Sequence, residues 1–371
     1  MPAKRIILMY ISEISGHHSA TLAIENALRS LDPATEILNI NAFSYTNPIS
    51  EKIINKVYMG VIKKTPAVWE YLYDNPAVEK RLRKIKEAIN KINYSKLKDL
   101  FDRFQPDAVV CTQAYPCGMV ADFKKTSGSN ISLLAVLTDY IPHAYWIYDS
   151  VDYYIVPSSE VKTLLIKKGV APDKINTFGI PFDPKFNVHV NKEEVLRRLH
   201  LDPKIPIVLI MGGGHGLGPI KTVIKSLEKS SQELQLIVVA GINKKLYRSL
   251  KRMKKKSKKK LLVFSFVDNI NELMEIAKVI ITKPGGITIA EALSKKLPMI
   301  IVKPIPGQEA NNAMYLAKKR AAIKLDDPKF THAVVEELLG NPHKLETFRS
   351  AIAQIKKPYA SMDIAKLLLE L

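Results

Sequence analysis

The sequence predicts an α/β protein in which two doubly wound domains follow one another along the chain. Short apolar segments recur throughout, each followed by a turn, which is typical of the buried strands of a parallel sheet. Both halves open on a strand, a glycine-containing turn and a helix, at residues 5–31 and again at 207–229. A chain of 371 residues is also longer than one typical core and suits two domains.

The first half alternates candidate strands with turns and helices. Its opening strand at residues 5–11 is followed by a turn at 12–19 and an amphipathic helix at 20–31. Ser158 is a good N-cap for a later helix. Residues 181–191 are expected to form the linker between the domains. The remaining strands of this half are predicted at residues 37–40, 108–112, 133–137 and 153–157.

Residues 48–104 form a long connection that is mostly helical in pattern. It mixes aromatic side chains such as Trp69 and Tyr71 with lysines such as Lys63. This mixture is typical of an element that lies on a membrane surface. A helix packed on its own domain is the alternative interpretation.

The second half repeats the pattern of the first. Its strands are predicted at residues 207–211, 236–240, 261–264, 279–282 and 299–302. Helical patterns close the chain at residues 331–339, 343–355 and 361–369. We therefore expect an N-terminal domain over residues 1–182, a second domain over 183–342 and C-terminal helices over 343–371.

The chain is strongly basic. Its 56 Lys and Arg against 36 Asp and Glu give a formal net charge of +20, and eight of the ten residues 251–260 are Lys or Arg. No zinc finger, helix-turn-helix or RNA-binding aromatic motif is evident, so an anionic membrane surface is a better partner than nucleic acid. The lysine richness of a thermophilic or AT-rich source, with residues 251–260 as a solvated surface, is the alternative.

Two further absences limit the class of protein. No segment of the sequence reaches the roughly 20 apolar residues that a membrane-spanning helix requires, and the first ten residues do not have the pattern of a signal peptide. Cys111 and Cys117 cannot form a disulfide framework and lack the additional ligands of a zinc site. We expect two buried thiols in a reducing compartment.

A polar segment follows the predicted strand at residues 279–282. The turn Lys283-Pro-Gly-Gly286 lets a backbone approach a ligand closely, and the helix after it presents free N–H groups that favour a phosphate. Glu291 lies about one turn further on, where its carboxylate can bind the hydroxyls of a ribose. The next strand ends in the polar pair Gln308-Glu309. This region can therefore hold the phosphate, ribose and sugar of an activated donor.

The segments at 283–293 and 304–312 are similar to the donor signature of the diacylglycerol glycosyltransferases of glycosyltransferase family 28. The first segment is Lys-Pro-Gly-Gly-Ile-Thr-Ile-Ala-Glu-Ala-Leu, and the second contains Pro-Ile-Pro-Gly-Gln-Glu followed by Asn312. The family includes plant-type monogalactosyldiacylglycerol synthases and bacterial processive diacylglycerol glucosyltransferases. It is related to the transferase that adds N-acetylglucosamine to lipid-linked peptidoglycan precursors. The resemblance extends over most of the chain.

The resemblance implies a GT-B architecture, with two facing Rossmann-like doubly wound domains, a central cleft and a last helix that crosses back to the first domain. It also implies an inverting, peripheral membrane enzyme at the cytoplasmic face of the cell membrane. Such an enzyme transfers glucose or galactose from UDP-glucose or UDP-galactose to 1,2-diacylglycerol. The chain has no Asp-x-Asp run of the metal-binding kind, so we expect neither a required metal nor a cofactor.

The resemblance assigns donor contacts to the glycines of two turns, to polar side chains after them and to a backbone position that contacts the uracil ring. The expected donor-binding residues are Gly213, Gly214, Val267, Lys283, Gly285, Gly286, Thr288, Glu291, Gln308, Glu309 and Asn312. His215 stands where relatives often carry an acidic or small residue, so its role is left open.

The turn Ser15-Gly-His-His-Ser19 resembles the family's Gly-Gly-Gly-His turn, although Ile14 and Ser15 replace two of the glycines. His17 matches the family's histidine, and an imidazole with a pKa near neutrality can take the proton from an attacking hydroxyl. We therefore predict His17, rather than His18, as the catalytic base.

The segment after the strand at 133–137 resembles the family's Thr-Asp…His…Trp segment. This segment follows the strand directly, and its Asp139 can orient His17 or replace it as the base. Gly16, His143 and Trp146 are expected at the acceptor site. Packing between domains is the alternative role for Trp146.

Two other functions remain open at this point. One is transfer of N-acetylglucosamine to a polyprenyl-linked peptidoglycan precursor, and the other is a non-enzymatic anion-binding protein that does not bind UDP. The sequence distinguishes neither glucose from galactose nor one added sugar from several, and it does not give the oligomeric state.

Overall fold

The computed structural model describes residues 3–46, 94–142 and 144–371. The predicted membrane-surface connection lies outside the described residues as far as residue 93, and so does His143.

The chain divides into two compact units. The first consists of Met1–Pro184, Ile305–Gln308 and Tyr359–Leu371, and the second of Lys185–Pro304 and Glu309–Pro358. The first unit is therefore discontinuous in sequence, because a short loop and the last helix join it from the second half of the chain.

Within the described residues, each unit contains one six-stranded sheet whose strands are all parallel. The strands of the first sheet are β1 (Arg5–Tyr10), β2 (Glu36–Asn41), β3 (Ala108–Cys111), β4 (Ser132–Val136), β5 (Tyr153–Ile155) and β6 (Ile175–Asn176), in the spatial order β2-β1-β3-β4-β5-β6. The strands of the second are β7 (Ile207–Met211), β8 (Gln235–Val239), β9 (Lys260–Phe264), β10 (Val279–Thr282), β11 (Met299–Val302) and β12 (Ala322–Leu325), in the order β12-β11-β10-β7-β8-β9.

Helices connect the strands. In chain order they are α1 (Gly16–Leu31), α2 (Ala42–Thr46), α3 (94–104, as far as described), α4 (Ala114–Ser127), α5 (Ser159–Lys167), α6 (Lys192–Arg198), α7 (Ile220–Leu227), α8 (Lys244–Lys254), α9 (Ile270–Ile276), α10 (Gly286–Ser294), α11 (Gln308–Lys318), α12 (Thr331–Leu339), α13 (Pro342–Ile355) and α14 (Ala360–Glu370). None of the helices in the described part of the chain combines the length and apolar character needed to cross a bilayer.

The central strands β1, β3 and β4 of the first sheet are apolar on both faces because both faces are covered. Alternate residues of β1 enter different cores: Ile7 and Met9 belong to one buried cluster, and Ile6 and Leu8 to another. Successive side chains of a strand point to opposite faces, so a sheet covered on both sides produces the continuous apolar segments seen in the sequence.

The helix α14 packs against α1 within the first unit. Its buried residues Ile364 and Leu368 lie in one cluster with Ile24 and Leu28 of α1. The C-terminal helix therefore completes the core on this face of the first sheet.

The helix α1 begins at Gly16, whereas the sequence predicted a turn as far as residue 19. Ser15 is its N-cap, because the Ser15 hydroxyl accepts a hydrogen bond from the His18 N–H at 3.2 Å and donates one to the Ser12 carbonyl at 2.7 Å. The predicted boundary was wrong because this capping outweighs the weak helix propensity of Gly16 and the two histidines. His17 consequently lies in the first turn of a helix.

Candidate active site

Several of the predicted site residues that the structure describes follow the carboxyl ends of strands at which a sheet changes the direction of its strand order. This point lies between β1 and β3 in the first sheet and between β7 and β10 in the second. Open α/β sheets bind ligands at such points, because the loops that follow the two strands lead away from each other and leave a crevice. Each unit therefore has a candidate crevice of its own.

His17 is held in the first crevice by Thr112, the residue that follows β3. Its ring Nδ1 lies 2.7 Å from the backbone oxygen of Thr112, and the Thr112 hydroxyl donates to the backbone oxygen of His17 at 2.9 Å. A carbonyl oxygen can only accept, so Nδ1 carries the proton and Nε2 is left as the basic nitrogen. These two hydrogen bonds fix the orientation and tautomer that a general base needs.

Thr138 and Asp139 follow β4 and act on the same imidazole. The Thr138 hydroxyl lies 3.3 Å from His17 Nδ1. Burial lowers the pKa of His17 below its ordinary value, and the negative charge of Asp139 and the hydrogen bond to Thr112 oppose this shift only in part. The lowered pKa keeps the imidazole neutral near pH 7, which is the form that can accept a proton.

Gln308, which the sequence assigned to the donor sugar, contacts Asp139. Its side-chain Nε2 donates a hydrogen bond to Asp139 Oδ2 at 3.0 Å. The segment Ile305–Gln308 belongs to the first unit, and the rest of α11 belongs to the second. The predicted donor residue is thus a neighbour of the predicted catalytic carboxylate.

His18 has different surroundings from His17. Its ring stacks on Tyr10 with centroids 4.1 Å apart and an interplanar angle of 15°, and its Nδ1 lies 2.7 Å from the backbone oxygen of Glu13. These contacts hold His18 against the end of β1 and the loop after it, whereas His17 contacts the residues that follow β3 and β4.

The two predicted acceptor residues that the structure describes differ in burial. Gly16 is exposed at the start of α1, and His143 lies outside the described residues. The side chain of Trp146 belongs to the buried core of the first unit, with 7% of its surface exposed. Its predicted contact with the acceptor finds no support in this placement, because an indole packed in the core is covered by its own unit.

In the second unit, the glycine turn after β7 folds back on itself. The N–H of Gly216 donates to the Gly213 carbonyl at 3.0 Å, and the N–H of Ile242 donates to the Gly214 carbonyl at 2.9 Å. Gly216 has φ of 57°, and a Cβ there would stand 2.0 Å from the Ala240 oxygen, so the turn itself requires glycine at this position. A Cβ at Gly213, in contrast, would have no heavy-atom neighbour within 4 Å.

The turn after β10 leads into α10 through Gly285. Gly285 is the N-cap, and no side chain caps the helix. The first N–H groups of a helix, here including those of Gly286 and Thr288, have no acceptor within the helix and suit an anion. A Cβ at Gly285 would meet no heavy atom within 4 Å, so there is open space beside this turn. Glu291 is half-buried further along α10.

Two contacts join the turn after β10 to α11. Lys283 Nζ forms an ion pair with Glu309 Oε1 at 2.5 Å, and both side chains are largely buried. Asn312 is buried, and its Nδ2 donates to the backbone oxygen of Pro284 at 3.0 Å. Lys283 and Glu309 therefore place an ammonium and a carboxylate together at the second crevice, and Asn312 fixes the turn beneath them.

Val267 lies after β9, at the same edge of the second sheet, and is half-buried. His215 is also half-buried, within the glycine turn after β7. The contact of Val267 with a nucleotide base stays a prediction.

The two crevices offer different chemistry. The first contains a neutral imidazole of defined tautomer beside a carboxylate, and the second contains helix N–H groups and an ammonium suited to an anionic ligand. Across residues 3–46, 94–142 and 144–371, no group of three His, Cys, Asp or Glu side chains is arranged to hold a metal ion.

The sequence did not identify the role of Thr112. It was the last residue of a predicted strand, and nothing in its neighbours marked it as a partner of His17. The signal available was topological: if β1 and β3 are adjacent, a polar residue directly after β3 faces the loop after β1.

Known proteins resemble both parts of the chain. Residues 17–182 match the family model described as monogalactosyldiacylglycerol synthase, and residues 207–366 match the glycosyltransferase family 28 C-terminal domain. The chain is 32% identical over 356 residues to a processive diacylglycerol beta-glucosyltransferase of Bacillus cereus, covering 95% of this chain and 90% of that protein.

Solved structures share the fold at lower identity. MurG of Acinetobacter baumannii is 14% identical with a TM-score of 0.64, over 99% of this chain and 100% of the other. A UDP-glucosyltransferase from Polygonum tinctorium is 14% identical with a TM-score of 0.66, over 100% of this chain and 99% of the other. These likenesses show the two-unit α/β fold of the GT-B type and, at this identity, nothing beyond the fold.

Proposed function

The chain belongs to the diacylglycerol glycosyltransferase family, and from this membership we propose that it transfers glucose or galactose from a UDP-sugar to 1,2-diacylglycerol. The product is a β-glycosyldiacylglycerol. The relative's name supports the acceptor class and the β linkage, and the match to the monogalactosyldiacylglycerol synthase model supports a hexosyltransferase. The glucosyl and galactosyl versions are both retained.

The observation that carries this proposal is the pair of hydrogen bonds between His17 and Thr112. They leave Nε2 of a neutral imidazole as the basic atom at the carboxyl edge of the first sheet. Transfer to a lipid hydroxyl requires such a base, because an alcohol is a poor nucleophile until its proton is removed.

In the proposed reaction, His17 Nε2 takes the proton from the diacylglycerol hydroxyl as its oxygen attacks the anomeric carbon of the sugar. The bond from that carbon to the diphosphate oxygen breaks, and UDP leaves with the bonding electron pair from the opposite face. Asp139 stabilises the imidazolium that forms, through the same charge that raises the pKa of His17.

The departing diphosphate gains negative charge, which the second crevice is suited to stabilise. Its donors are the N–H groups at the start of α10, close to Gly285 and Gly286, and the ammonium of Lys283. Glu291 binds the ribose and Gln308 and Glu309 bind the sugar in this proposal, as the family resemblance implies. Gly213, Gly214, Val267, Thr288 and Asn312 complete the proposed donor site.

We further propose that the enzyme works at an anionic membrane surface on the cytoplasmic side. The support is the net charge of +20 and the basic segment at residues 244–260, in which no acidic residue occurs. Each lysine or arginine near an anionic surface contributes about 1 kcal/mol of attraction, which salt weakens.

The test is transfer of radiolabelled sugar to diacylglycerol in liposomes that contain an anionic lipid, with UDP-glucose and UDP-galactose in separate reactions. We expect a β-linked glycolipid from at least one donor, near-complete loss of turnover for His17→Ala, and substantial activity for the neighbouring His18→Ala. Absence of glycolipid with both donors would refute the proposed function.

The same assay tests the alternatives. UDP-N-acetylglucosamine with a polyprenyl-linked peptidoglycan precursor serves as a third donor and acceptor pair, for which we expect no product. A non-enzymatic anion-binding protein would bind the liposomes without turnover of any donor and would be unaffected by Glu291→Ala.

A further inference from the structure

The hydrogen bond between Gln308 and Asp139 joins a residue expected at the donor sugar to the carboxylate that acts on the base. The distance from Gln308 Nε2 to Asp139 Oδ2 is 3.0 Å, and both side chains are half-buried in the first unit. An amide N–H is a donor only, so this contact stabilises the charged carboxylate and fixes its orientation.

Asp139 has a second connection, to the imidazole. It directly follows Thr138, whose hydroxyl lies 3.3 Å from His17 Nδ1, and its charge acts on the His17 ring. Thr112 fixes the ring through its backbone oxygen, and the strength with which Asp139 acts on the ring depends on where the carboxylate is held. A group that fixes the carboxylate therefore influences how well the imidazolium is stabilised.

We propose that Gln308 is a positioning residue, which holds the Asp139 carboxylate where it stabilises the protonated His17 during transfer. This inference rests on the proposed function and adds to it a role for Gln308 that is separate from contact with the sugar. Gln308 acts through Asp139, and it does not itself exchange a proton with the acceptor.

The next residue along the chain provides a contrast. Glu309 pairs with Lys283 in the second unit, at the crevice proposed for the donor. Two consecutive residues at the start of α11 thus have partners of different kinds, one beside the base and one beside the donor. Variants of the two positions should consequently change different kinetic constants.

The experiment compares Gln308→Ala and Gln308→Glu with Glu309→Gln, in the full chain, by steady-state kinetics with varied UDP-sugar. For Gln308→Ala we expect kcat to fall about 10- to 100-fold, the factor for losing one hydrogen bond to a charged group. The donor KM should rise by a smaller factor, because Gln308 is also proposed to contact the sugar. Gln308→Glu keeps the size of the side chain but replaces the hydrogen-bond donor by a second carboxylate. The kcat of this variant should therefore fall at least as far. Glu309→Gln should mainly raise the donor KM.

A double-mutant cycle decides whether Gln308 acts through Asp139. On an Asp139→Asn background, Gln308→Ala should cause little further loss of kcat, because the carboxylate it positions is already absent. A full additional loss on that background, or a raised donor KM with unchanged kcat for Gln308→Ala, would overturn the inference. An inactive wild-type protein would instead refute the proposed function, so the two failures are distinguishable.

Discussion

At the scale of single residues, the hydrogen bonds of His17 decide which of its nitrogens can act as a base. The Thr112 carbonyl accepts a hydrogen bond from Nδ1–H, and burial keeps the ring neutral by lowering its pKa. Asp139 opposes that lowering, so the pH at which the imidazole becomes protonated depends on this carboxylate.

We predict that Asp139→Asn moves the acidic limb of the kcat/KM profile to lower pH. Removing the negative charge removes a contribution that raises the pKa of His17, so the ring remains an unprotonated base at lower pH. The maximal rate should also fall about tenfold or more, because the imidazolium loses its partner. If Asp139 were itself the base, the variant would instead lose activity at every pH.

Gly285 and Gly216 make a matched pair for testing which glycines serve the ligand. Gly285 has φ of −69° and open space at its Cβ position, so Gly285→Ala should leave the melting temperature unchanged or raise it slightly. The added methyl should raise the donor KM, because it occupies the space beside the start of α10. Gly216→Ala should lower the melting temperature, because its Cβ would stand 2.0 Å from the Ala240 oxygen. A destabilised Gly285→Ala with normal donor KM would contradict the prediction.

At the scale of elements, the strands were the most predictable part of the fold. Apolar segments such as 207–211 and 279–282 coincide with β7 and β10. A parallel strand that is buried on both faces is apolar at nearly every position, so its sequence is easy to recognise. The start of α1 was not predictable in the same way, since it depends on a hydroxyl of Ser15 that reaches the backbone N–H of His18. Hydrophobic periodicity carries no information about such a cap.

The cap of α1 leads to a prediction about stability and turnover together. Ser15→Ala should reduce the free energy of unfolding by about 1 kcal/mol, the usual effect of losing an N-cap. It should also lower kcat, because the first turn of α1 carries His17. Thermal melting and the liposome assay measure the two effects. Ser19→Ala serves as the control, because it removes a hydroxyl near the start of α1 and leaves the Ser15 cap in place.

The helix α8 and the loop after it lie away from the second crevice. α8 starts after the carboxyl end of β8 and returns to the amino end of β9, so residues 251–260 lie at the edge of the sheet opposite to Gly285. Their charge is therefore available to a surface without contacting a ligand of the second crevice.

We predict that Lys254→Gln with Lys255→Gln weakens binding to anionic liposomes and leaves the donor KM unchanged. Both side chains are exposed, and the loss should shrink as salt is added. Lys167→Gln with Lys168→Gln removes the same charge from exposed positions in the first unit and is the matched control. Equal loss in both variants would show that net charge, and not this segment, determines binding.

At the scale of the whole molecule, the repeated pattern of the sequence made the two α/β units predictable. The residues of the candidate site were predictable only where they belong to the family motifs. His17 and Asp139 were identified from motifs, but the contact of Gln308 with Asp139 joins residues 169 positions apart. The burial of Trp146 likewise depends on packing within its unit, which a motif does not describe.

The charge arrangement of the molecule supports a prediction about metals. The proposed partners of the diphosphate are helix N–H groups and Lys283, so turnover should persist in excess EDTA and should not rise with added Mg²⁺. Lys283→Met should lower kcat, and added Mg²⁺ should not restore it. Activity that disappears in EDTA and returns with Mg²⁺ would contradict this.

The packing of α14 on α1 has a consequence for synthesis on the ribosome. The apolar face that includes Ile24 and Leu28 is translated long before Ile364 and Leu368, the residues that cover it. The first unit therefore cannot finish folding until α14 has left the ribosome. The nascent chain must keep that face from aggregating while the whole second unit is being synthesised.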